Sequence, residues 1–377
     1  NLKELALNSA NDTNTDVDRK TIRKEFNQKM ANINDIATTT NYNGKALLDG
    51  TYFFKTETIK NYTPIMIYDD DYNIDSDGVY MLAKGFTGTV NVNAKNVKIV
   101  QEDISTPLNN VTLLGSENGK INLFIDTLNI VNTENQSVIR FNGSDNLLTF
   151  KGTSTLVQKD NTFNRAIIYA GNGLTLEDGG EGVLNVQCYG DLTSTAIGLD
   201  CYATGAVDGG GTTGYNINSN IIVNSGTYNL FVEKAGGAIG MADNAHLFGN
   251  IEILGGKINA TTNYGSAIGS GSGMMTGNLI IGNATVNVTS VEGAGIGCGS
   301  YKSRTDAGDW LDGNIIIGNG AKITAKSTNG AGVGAGQGAS VSNPGYVIIS
   351  TQAQVSSVGS KTNLYSNTQK EFYYGDS

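Results

Sequence analysis

The feature that most constrains this chain is a unit that recurs from about residue 145 onward. Each copy holds a β-branched strand, a glycine turn, a second strand, a polar gap and a third short run of small residues. Three successive copies are NIEILGGKINATTNYGSAIGSG, NLIIGNATVNVTSVEGAGIGCG and NIIIGNGAKITAKSTNGAGVGAG. Such strands are too short and too β-branched for helices, so a period of about 29 residues predicts a β-solenoid.

The spacing of equivalent strands defines the expected coil. Strand onsets fall at Ile221, Ile251, Leu279, Ile315 and Val347, at intervals of 30, 28, 36 and 32 residues. A second series marks the small-residue strand: Ile168, Ile197, Ile239, Ile268, Ile296 and Val333. We therefore expect a mainly β fold, a parallel β-helix with three strands per coil, right-handed by analogy with the usual sense of parallel crossovers.

Alternation within the unit separates inside from outside. Every second residue of a strand faces the same side, so Ile251, Ile253, Ile258, Ala260 and Ile268 are expected to point inward and to stack on their equivalents one coil away.

One polar residue also recurs at a fixed place in the coil. Asparagines stand at one corner of successive units: Asn220, Asn250, Asn278 and Asn314. Their side-chain amides either bond to each other along the stack or merely suit a turn, and the residues alone leave both open.

The longer intervals contain polar insertions, predicted as loops at 201–219, 241–248 and 301–313. Weaker alternation extends upstream and indicates a start near residue 78 and about nine coils, a rod about 40–45 Å long at ~4.8 Å per coil. The expected organisation is then a helical segment (1–50), a connector (51–77), the β-helix (78–360) and a cap or return segment (361–377).

Charge and cysteine content exclude several classes of protein. The chain has 25 Lys and Arg against 35 Asp and Glu, a formal net charge of −10, so a nucleic-acid partner is not expected. No apolar stretch approaches the ~18 residues that a membrane span needs. Three cysteines are too few for a disulfide framework, which leaves incidental small residues or a Cys188–Cys201 bridge.

The first fifty residues have a different pattern. Apolar residues in the segment 17–37 follow one stripe of a helix at spacings of 4, 4, 3 and 4: Ile22, Phe26, Met30, Ile33 and Ala37. Thr15 or Asp16 is placed to cap this helix. A shorter helical run, LKELAL, precedes it, and Asn43-Gly44 predicts a tight turn after it.

This segment resembles the amino-terminal conserved region of bacterial flagellins. The matching positions are Glu4-Leu5-Ala6, Ala10-Asn11, Thr13-Asn14, Asp18-Arg19, Glu25, Ile33, Ile36-Ala37, Asn43-Gly44 and Leu47-Leu48-Asp49-Gly50. The resemblance covers about one-seventh of the chain. It implies a subunit that polymerises with other flagellin subunits, is exported without a cleaved signal peptide and lies extracellularly in the flagellum.

Two further expectations follow from the resemblance. The chain ends at EFYYGDS without a helical partner for the amino-terminal core, so we expect this piece not to polymerise alone. Contact with a host toll-like flagellin receptor is implied at Lys3 and Glu25, although Asn1 stands where the family has an arginine, which weakens the expected contact.

Few residues suggest ligand chemistry. Asp309 and Asp312 flank Trp310 and form a candidate sugar-binding cluster, because indole rings stack well on sugar rings. Asn73, Asp75 and Asp77 are spaced like the start of a calcium loop, but Lys84 stands at the twelfth position, which favours the alternative of a plain acidic turn. The single histidine, His246, is expected to lie in a loop without a partner.

These observations favour a structural protein over an enzyme, with no catalytic residues and no cofactor expected. The leading hypothesis is a filament subunit whose variable, surface-exposed part is a β-helix. A carbohydrate-binding or adhesin module displayed on the filament is the alternative, and a polysaccharide lyase or hydrolase is the weaker one.

Overall fold

The structure is a computed structural model. It describes residues 15, 18, 21–22, 24–26, 28–29, 41–42, 45–46, 63–68, 70–117, 119–189, 194–200, 216–234, 236–242, 245–271, 273–300, 310–337, 340–342, 346–360 and 373–375. Two compact units divide the chain, Asn1–Asn61 and Tyr62–Ser377.

The first unit contains part of the predicted helix, whereas LKELAL, residues 30–37 and Asn43-Gly44 lie outside the described residues. Its helical residues lie within 18–29, and Thr15 caps them: its hydroxyl accepts a hydrogen bond from the Asp18 backbone N–H (3.2 Å), and the Asp18 carboxylate accepts one from the Thr15 N–H (2.9 Å). Two short strands, Asn41–Tyr42 and Lys45–Ala46, pair antiparallel on either side of Asn43-Gly44.

The second unit is a parallel β-helix, as predicted. All strand pairs described within it are parallel, and the chain passes in turn through the sheets that we number 1 to 4.

Sheet 1 has twelve described strands. They are Ile65–Ile67, Gly78–Leu82, Asn96–Gln101, Asn122–Asp126, Ser144–Lys151, Asn172–Asp178, Ile221–Val223, Ile251–Ile253, Leu279–Ile281, Ile315–Ile317, Val347–Ser350 and Tyr373–Gly375.

Sheet 2 has nine described strands. They are Leu108–Asn109, Asn129–Asn132, Thr153–Gln158, Val183–Cys188, Thr227–Val232, Lys257–Thr262, Thr285–Ser290, Lys322–Ser327 and Gln354–Val358.

Sheet 3 has ten described strands. They are Tyr72–Ile74, Gly88–Val92, Val111–Gly115, Ile139–Phe141, Ala166–Tyr169, Thr195–Leu199, Ile239–Met241, Ile268–Gly269, Ile296–Gly297 and Val333–Gly334.

Sheet 4 is shorter and belongs only to the later coils. Its five described strands are Asn216–Asn218, His246–Phe248, Met274–Thr276, Trp310–Asp312 and Ser340–Ser342.

The predicted register is confirmed. Ile221 pairs with Ile251, then Leu279, Ile315 and Val347. The small-residue series pairs in the same way from Ile168 to Val333. The residues expected inside are at most 4% exposed, so the inward side of each strand builds one continuous apolar core.

All three loop predictions were wrong in part. The segments 201–219, 241–248 and 301–313 each contain a strand of sheet 4, and the later coils therefore have four strands rather than three. In His246–Phe248 and Met274–Thr276 only the middle side chain is fully buried, and Leu311 is buried in the same way. A strand of three residues is too short to show a clear alternation in the sequence.

The parallel stacking also begins before residue 78. Ile65–Ile67 pairs with Tyr80–Leu82, and Tyr72–Ile74 pairs with Val90–Val92. Sheet 2, with its nine strands, has as many strands as the predicted number of coils, whereas sheets 1 and 3 contain more.

A column of glycines in sheet 3 sets how closely the coils approach there. Gly240, Gly269 and Gly297 stack in register and have φ values of 152°, 134° and 133°. A Cβ on Gly269 would lie 2.0 Å from the carbonyl oxygen of Gly297. Glycine is therefore required by both backbone conformation and space.

The corner asparagines form a ladder, but not one of amide to amide. The side-chain oxygens of Asn220, Asn250 and Asn278 accept hydrogen bonds from the backbone N–H of the next asparagine, at 2.8, 2.9 and 3.0 Å. Asn314 continues the series to the N–H of Tyr346 at 3.0 Å. The backbone N–H at this corner of each coil is thereby satisfied.

Candidate functional site

The candidate site is the outward surface of five consecutive strands of sheet 2, from Val183–Cys188 to Lys322–Ser327. We call it the ladder face. Alternate residues of these strands, such as Ile258 and Ala260, are buried in the core, so Lys257, Asn259 and Thr261 between them face solvent. The same alternation holds on every strand of the face.

Four asparagines run up the middle of the ladder face. Asn185, Asn229, Asn259 and Asn287 are in register on successive strands. Each side-chain NH2 donates to the amide oxygen of the preceding asparagine, at 2.8, 2.8 and 3.2 Å. Asn185 donates to the hydroxyl of Thr155 at 3.2 Å. This is an amide-to-amide ladder, one of the two alternatives that the sequence left open for the corner asparagines.

A groove of about 370 Å³ lies along this ladder. Its lining includes Asn229, Asn259, Asn287, Phe231 and Lys326. The Phe231 ring lies 5.4 Å from the ring of Tyr189, centroid to centroid, and Tyr189 is 37% exposed. The groove therefore combines a row of amides with the Phe231 ring, which has the partly exposed Tyr189 beside it.

Sequence reasoning missed the ladder face. The available signal was the asparagine at the third position of the second strand in four successive units, in VLNVQC, TYNLFV, KINATT and TVNVTS. Polar residues are common at the outward positions of strands. The repeated asparagine by itself therefore did not distinguish a candidate binding surface from an ordinary solvent-exposed one.

The predicted sugar-binding cluster lies in and beside sheet 4. Trp310 and Asp312 belong to one strand on either side of the buried Leu311, and Asp312 is half-buried. Asp309 lies outside the described residues. In register, Trp310 pairs with Met274 and Asp312 pairs with Thr276.

His246 belongs to this same sheet rather than to a loop. Its Nε2 lies 3.0 Å from the hydroxyl oxygen of Thr276, and its ring lies 4.1 Å from that of Phe248. Burial lowers the pKa of His246, and the charge of Asp312 partly opposes this shift. The prediction that it has no partner was wrong, because the partner comes from the next coil, 30 residues away.

The residues predicted to bind calcium accept hydrogen bonds that connect the first coils. Asn73 and Asp75 accept hydrogen bonds from the side-chain amides of Asn91 (2.9 Å) and Asn93 (2.8 Å). Asp77 accepts from both the backbone and the side chain of Asn96. Burial alone would raise the pKa of Asp77, but these hydrogen bonds and the charge of Lys95 outweigh it and lower the pKa.

Two kinds of feature are absent from the described residues. They contain no group of three or more His, Cys, Asp or Glu side chains that could hold a metal ion. No helix among them has the length and apolar character to cross a bilayer.

The remaining predicted residues have simple surroundings. Glu25 is exposed on the first unit's helix, with the Lys29 ammonium 3.3 Å from its carboxylate, whereas Lys3 lies outside the described residues. Cys188 is buried, with its sulfur 3.1 Å from the Ser194 hydroxyl oxygen. The Cys188–Cys201 bridge stays a prediction, since Cys201 is not among the described residues.

Comparison with known proteins identifies one part of the chain. Residues 1–52 match the bacterial flagellin N-terminal helical region. The chain is 48% identical over 50 residues to a flagellin of Clostridium tyrobutyricum, covering 13% of each protein. It is 41% identical over 51 residues to the B-type flagellin of Pseudomonas aeruginosa strain PAO1, covering 14% of this chain and 10% of that protein.

The matches thus reach only a small share of those relatives, and the β-helix lies beyond them. No solved structure matches the chain. The first 52 residues match the flagellin amino-terminal region, and a parallel β-helix follows them in the chain.

Proposed function

We propose that this chain is a structural subunit of a bacterial flagellar filament, with the β-helix as its variable, surface-exposed domain. The observation that carries the proposal is the covalent continuity between a flagellin amino-terminal region and a solenoid. The first segment serves assembly with other subunits, and the second faces the medium outside the cell.

The described geometry supports a structural rather than a catalytic role for the β-helix. Acid/base catalysis needs ionisable groups in reach of one bond. The carboxylates predicted as ligands instead accept hydrogen bonds from the next coil, and His246 contacts a threonine hydroxyl and a phenyl ring.

The net charge of −10 suits a domain that is displayed in many copies. Charge of one sign keeps such surfaces apart and solvated. Contact of Glu25 with a toll-like flagellin receptor and sugar binding at Trp310 and Asp312 remain proposals of the same kind, each testable by substitution at those positions.

Mass spectrometry of sheared, washed filaments from the encoding bacterium tests the main proposal. We expect tryptic peptides from residues 65–358 at the abundance of a filament subunit. Brief proteolysis of intact filaments should cleave this region before the segment 1–52. Filaments that lack these peptides, or that carry them only in trace amounts, would contradict the proposal.

A further inference from the structure

The ladder face has the opposite charge character to the protein as a whole. Its outward side chains include Lys257, Lys322 and Lys326, and none of its strand residues is an Asp or Glu. The acidic residues closest in sequence, Glu181, Glu233 and Glu292, lie in turns outside these strands. Among the described residues, none of the three lysines has a carboxylate within 4.0 Å.

The three lysines stand on both sides of the amide ladder. Lys257 and Lys322 belong to the column that precedes the asparagines, and Lys326 belongs to the column that follows them. All three are exposed. A ligand that lies over the ladder therefore has cations on either flank.

The ladder itself has hydrogen-bonding capacity left for a ligand. A side-chain amide has two N–H donors and two oxygen lone pairs, and the ladder uses one donor of Asn229 and Asn259 and one acceptor site of each. Each rung can therefore donate to and accept from a hydroxyl group. Successive rungs are about 4.8 Å apart, the spacing of neighbouring strands.

We infer that the ladder face binds an extended acidic polysaccharide, one whose sugar units carry carboxylates, with its chain running along the stack of coils. Hydroxyl groups of successive units bond to the asparagine amides. The lysines pair with the carboxylates, and the Phe231–Tyr189 pair packs against the apolar face of a sugar ring at one end of the groove. This site is separate from the proposed filament assembly and does not depend on it.

Other polymers fit this surface less well. The backbone N–H and C=O groups of these strands are already paired with the coils above and below, so a peptide cannot add as a further strand on the face. DNA has a much denser charge, and three lysines on a protein of net charge −10 do not match it.

Titration of the full 377-residue chain with polygalacturonate tests the inference, with neutral dextran and DNA of similar length as comparison polymers. We expect measurable binding of polygalacturonate and much weaker binding of the other two. Raising the salt concentration from about 0.05 M to about 0.5 M shortens the Debye length from roughly 14 Å to roughly 4 Å and should weaken the binding.

Two variants locate the site. The triple variant Lys257→Gln, Lys322→Gln, Lys326→Gln should raise Kd about tenfold, because it removes three ion pairs that are each weak on an exposed surface. Asn259→Asp places a negative charge in the centre of the ladder and should also weaken binding. The matched control is Lys95→Gln, Lys120→Gln, Lys151→Gln, an equal charge change on other exposed surfaces, for which Kd should not change beyond about twofold.

Several results would overturn the inference. Equal affinity for dextran would remove the requirement for carboxylates, and equal affinity for DNA would indicate an unselective polyanion surface. Unchanged Kd in both the triple lysine variant and Asn259→Asp would place the site elsewhere. Concentration-dependent self-association that the triple variant abolishes would assign the face to a second copy of this chain.

Discussion

The side-chain oxygen of Asn250 accepts a hydrogen bond from the backbone N–H of Asn278, one coil further along, at 2.9 Å. Asn278 in turn accepts from the N–H of Asn314 at 3.0 Å. At this corner the chain passes from sheet 4 to sheet 1. The side chains thus continue the coil-to-coil hydrogen bonding through a corner, where the strands of sheet 4 and sheet 1 that flank it have three residues each.

Removing one rung of this corner ladder should destabilise the β-helix. Asn278→Ala leaves the half-buried Asn314 N–H without its acceptor, at a cost of about 1–2 kcal/mol. Asn278→Asp keeps an acceptor oxygen in the same place and should stay within about 0.5 kcal/mol of the parent. Urea denaturation followed by circular dichroism measures both. An equal loss of stability in the two variants would show that the hydrogen bond accepted by Asn278 does not stabilise the β-helix.

A methyl group added in the glycine column should lower the free energy of unfolding more than a methyl group added at an ordinary turn. In Gly269→Ala the new Cβ meets the Gly297 carbonyl oxygen at 2.0 Å, and φ is 134°. Strain and overpacking together should cost about 2–4 kcal/mol.

The matched control for this substitution is Gly318→Ala. Its nearest neighbour would be the Ile281 carbonyl oxygen at 3.4 Å, and no positive φ restricts it. Its denaturation midpoint should stay close to that of the parent chain. If both variants lost the same stability, close approach of the coils at Gly269 would not be the cause.

His246 is the single histidine of the chain, so its NMR signal can be assigned without ambiguity. Because burial lowers its pKa, the titration midpoint should fall below the ordinary value of 6.5. Asp312→Asn removes a charge that raises this pKa, so the midpoint should move lower still. Glu117→Gln, on an exposed turn, is the control and should not move it.

The lowered pKa of His246 also predicts how the stability of the folded chain depends on pH. A lowered pKa means that the unfolded chain binds the proton more readily than the folded one, so stability rises with pH in this window. The contribution of His246 is complete above pH 6.5 and is lost as the pH falls through the folded-state pKa. His246→Gln should reduce the loss of stability between about pH 7 and about pH 5. An unchanged pH profile would contradict the assignment.

Tyr228 is a fully buried side chain whose hydroxyl donates to the Ser225 carbonyl at 2.9 Å. Its ring meets the Phe150 ring edge-on, 5.1 Å between centroids. Tyr228→Phe removes only the hydrogen bond and should cost about 0.5–1.5 kcal/mol, whereas Tyr228→Ala opens a cavity and should cost about 3–5 kcal/mol. Tyr68→Ala, at a side chain that is 70% exposed, should change stability little.

The solenoid could be predicted from the sequence because the same pattern of strands and turns recurs about every 29 residues. The pairing of Ile251 with Leu279 in sheet 1 and of Ile268 with Ile296 in sheet 3 follows from counting residues. The burial of both series follows from the period-2 alternation of strands. The Thr15 cap at the amino end was also predictable, because the pattern that indicates it is local.

Sheet 4 and the two asparagine ladders were not predictable in the same way. His246–Phe248 becomes a strand because Asn216–Asn218 and Met274–Thr276 lie on either side of it in the stack. Its own three residues carry almost no strand signal. The corner asparagines could equally have bonded to each other, and only the position of the next coil's N–H decided otherwise.

The sequence alone determined the coil period, the inward residues of sheets 1 to 3 and the flagellin-like character of the first fifty residues. Each of these features follows from the spacing of residues within one strand, one helix or one motif. The tertiary structure alone decided which outward side chains meet across coils, and thus the amide ladder with lysines on both flanks. Residues about 30 positions apart become neighbours only when the chain winds, so no local pattern indicates what lies beside them.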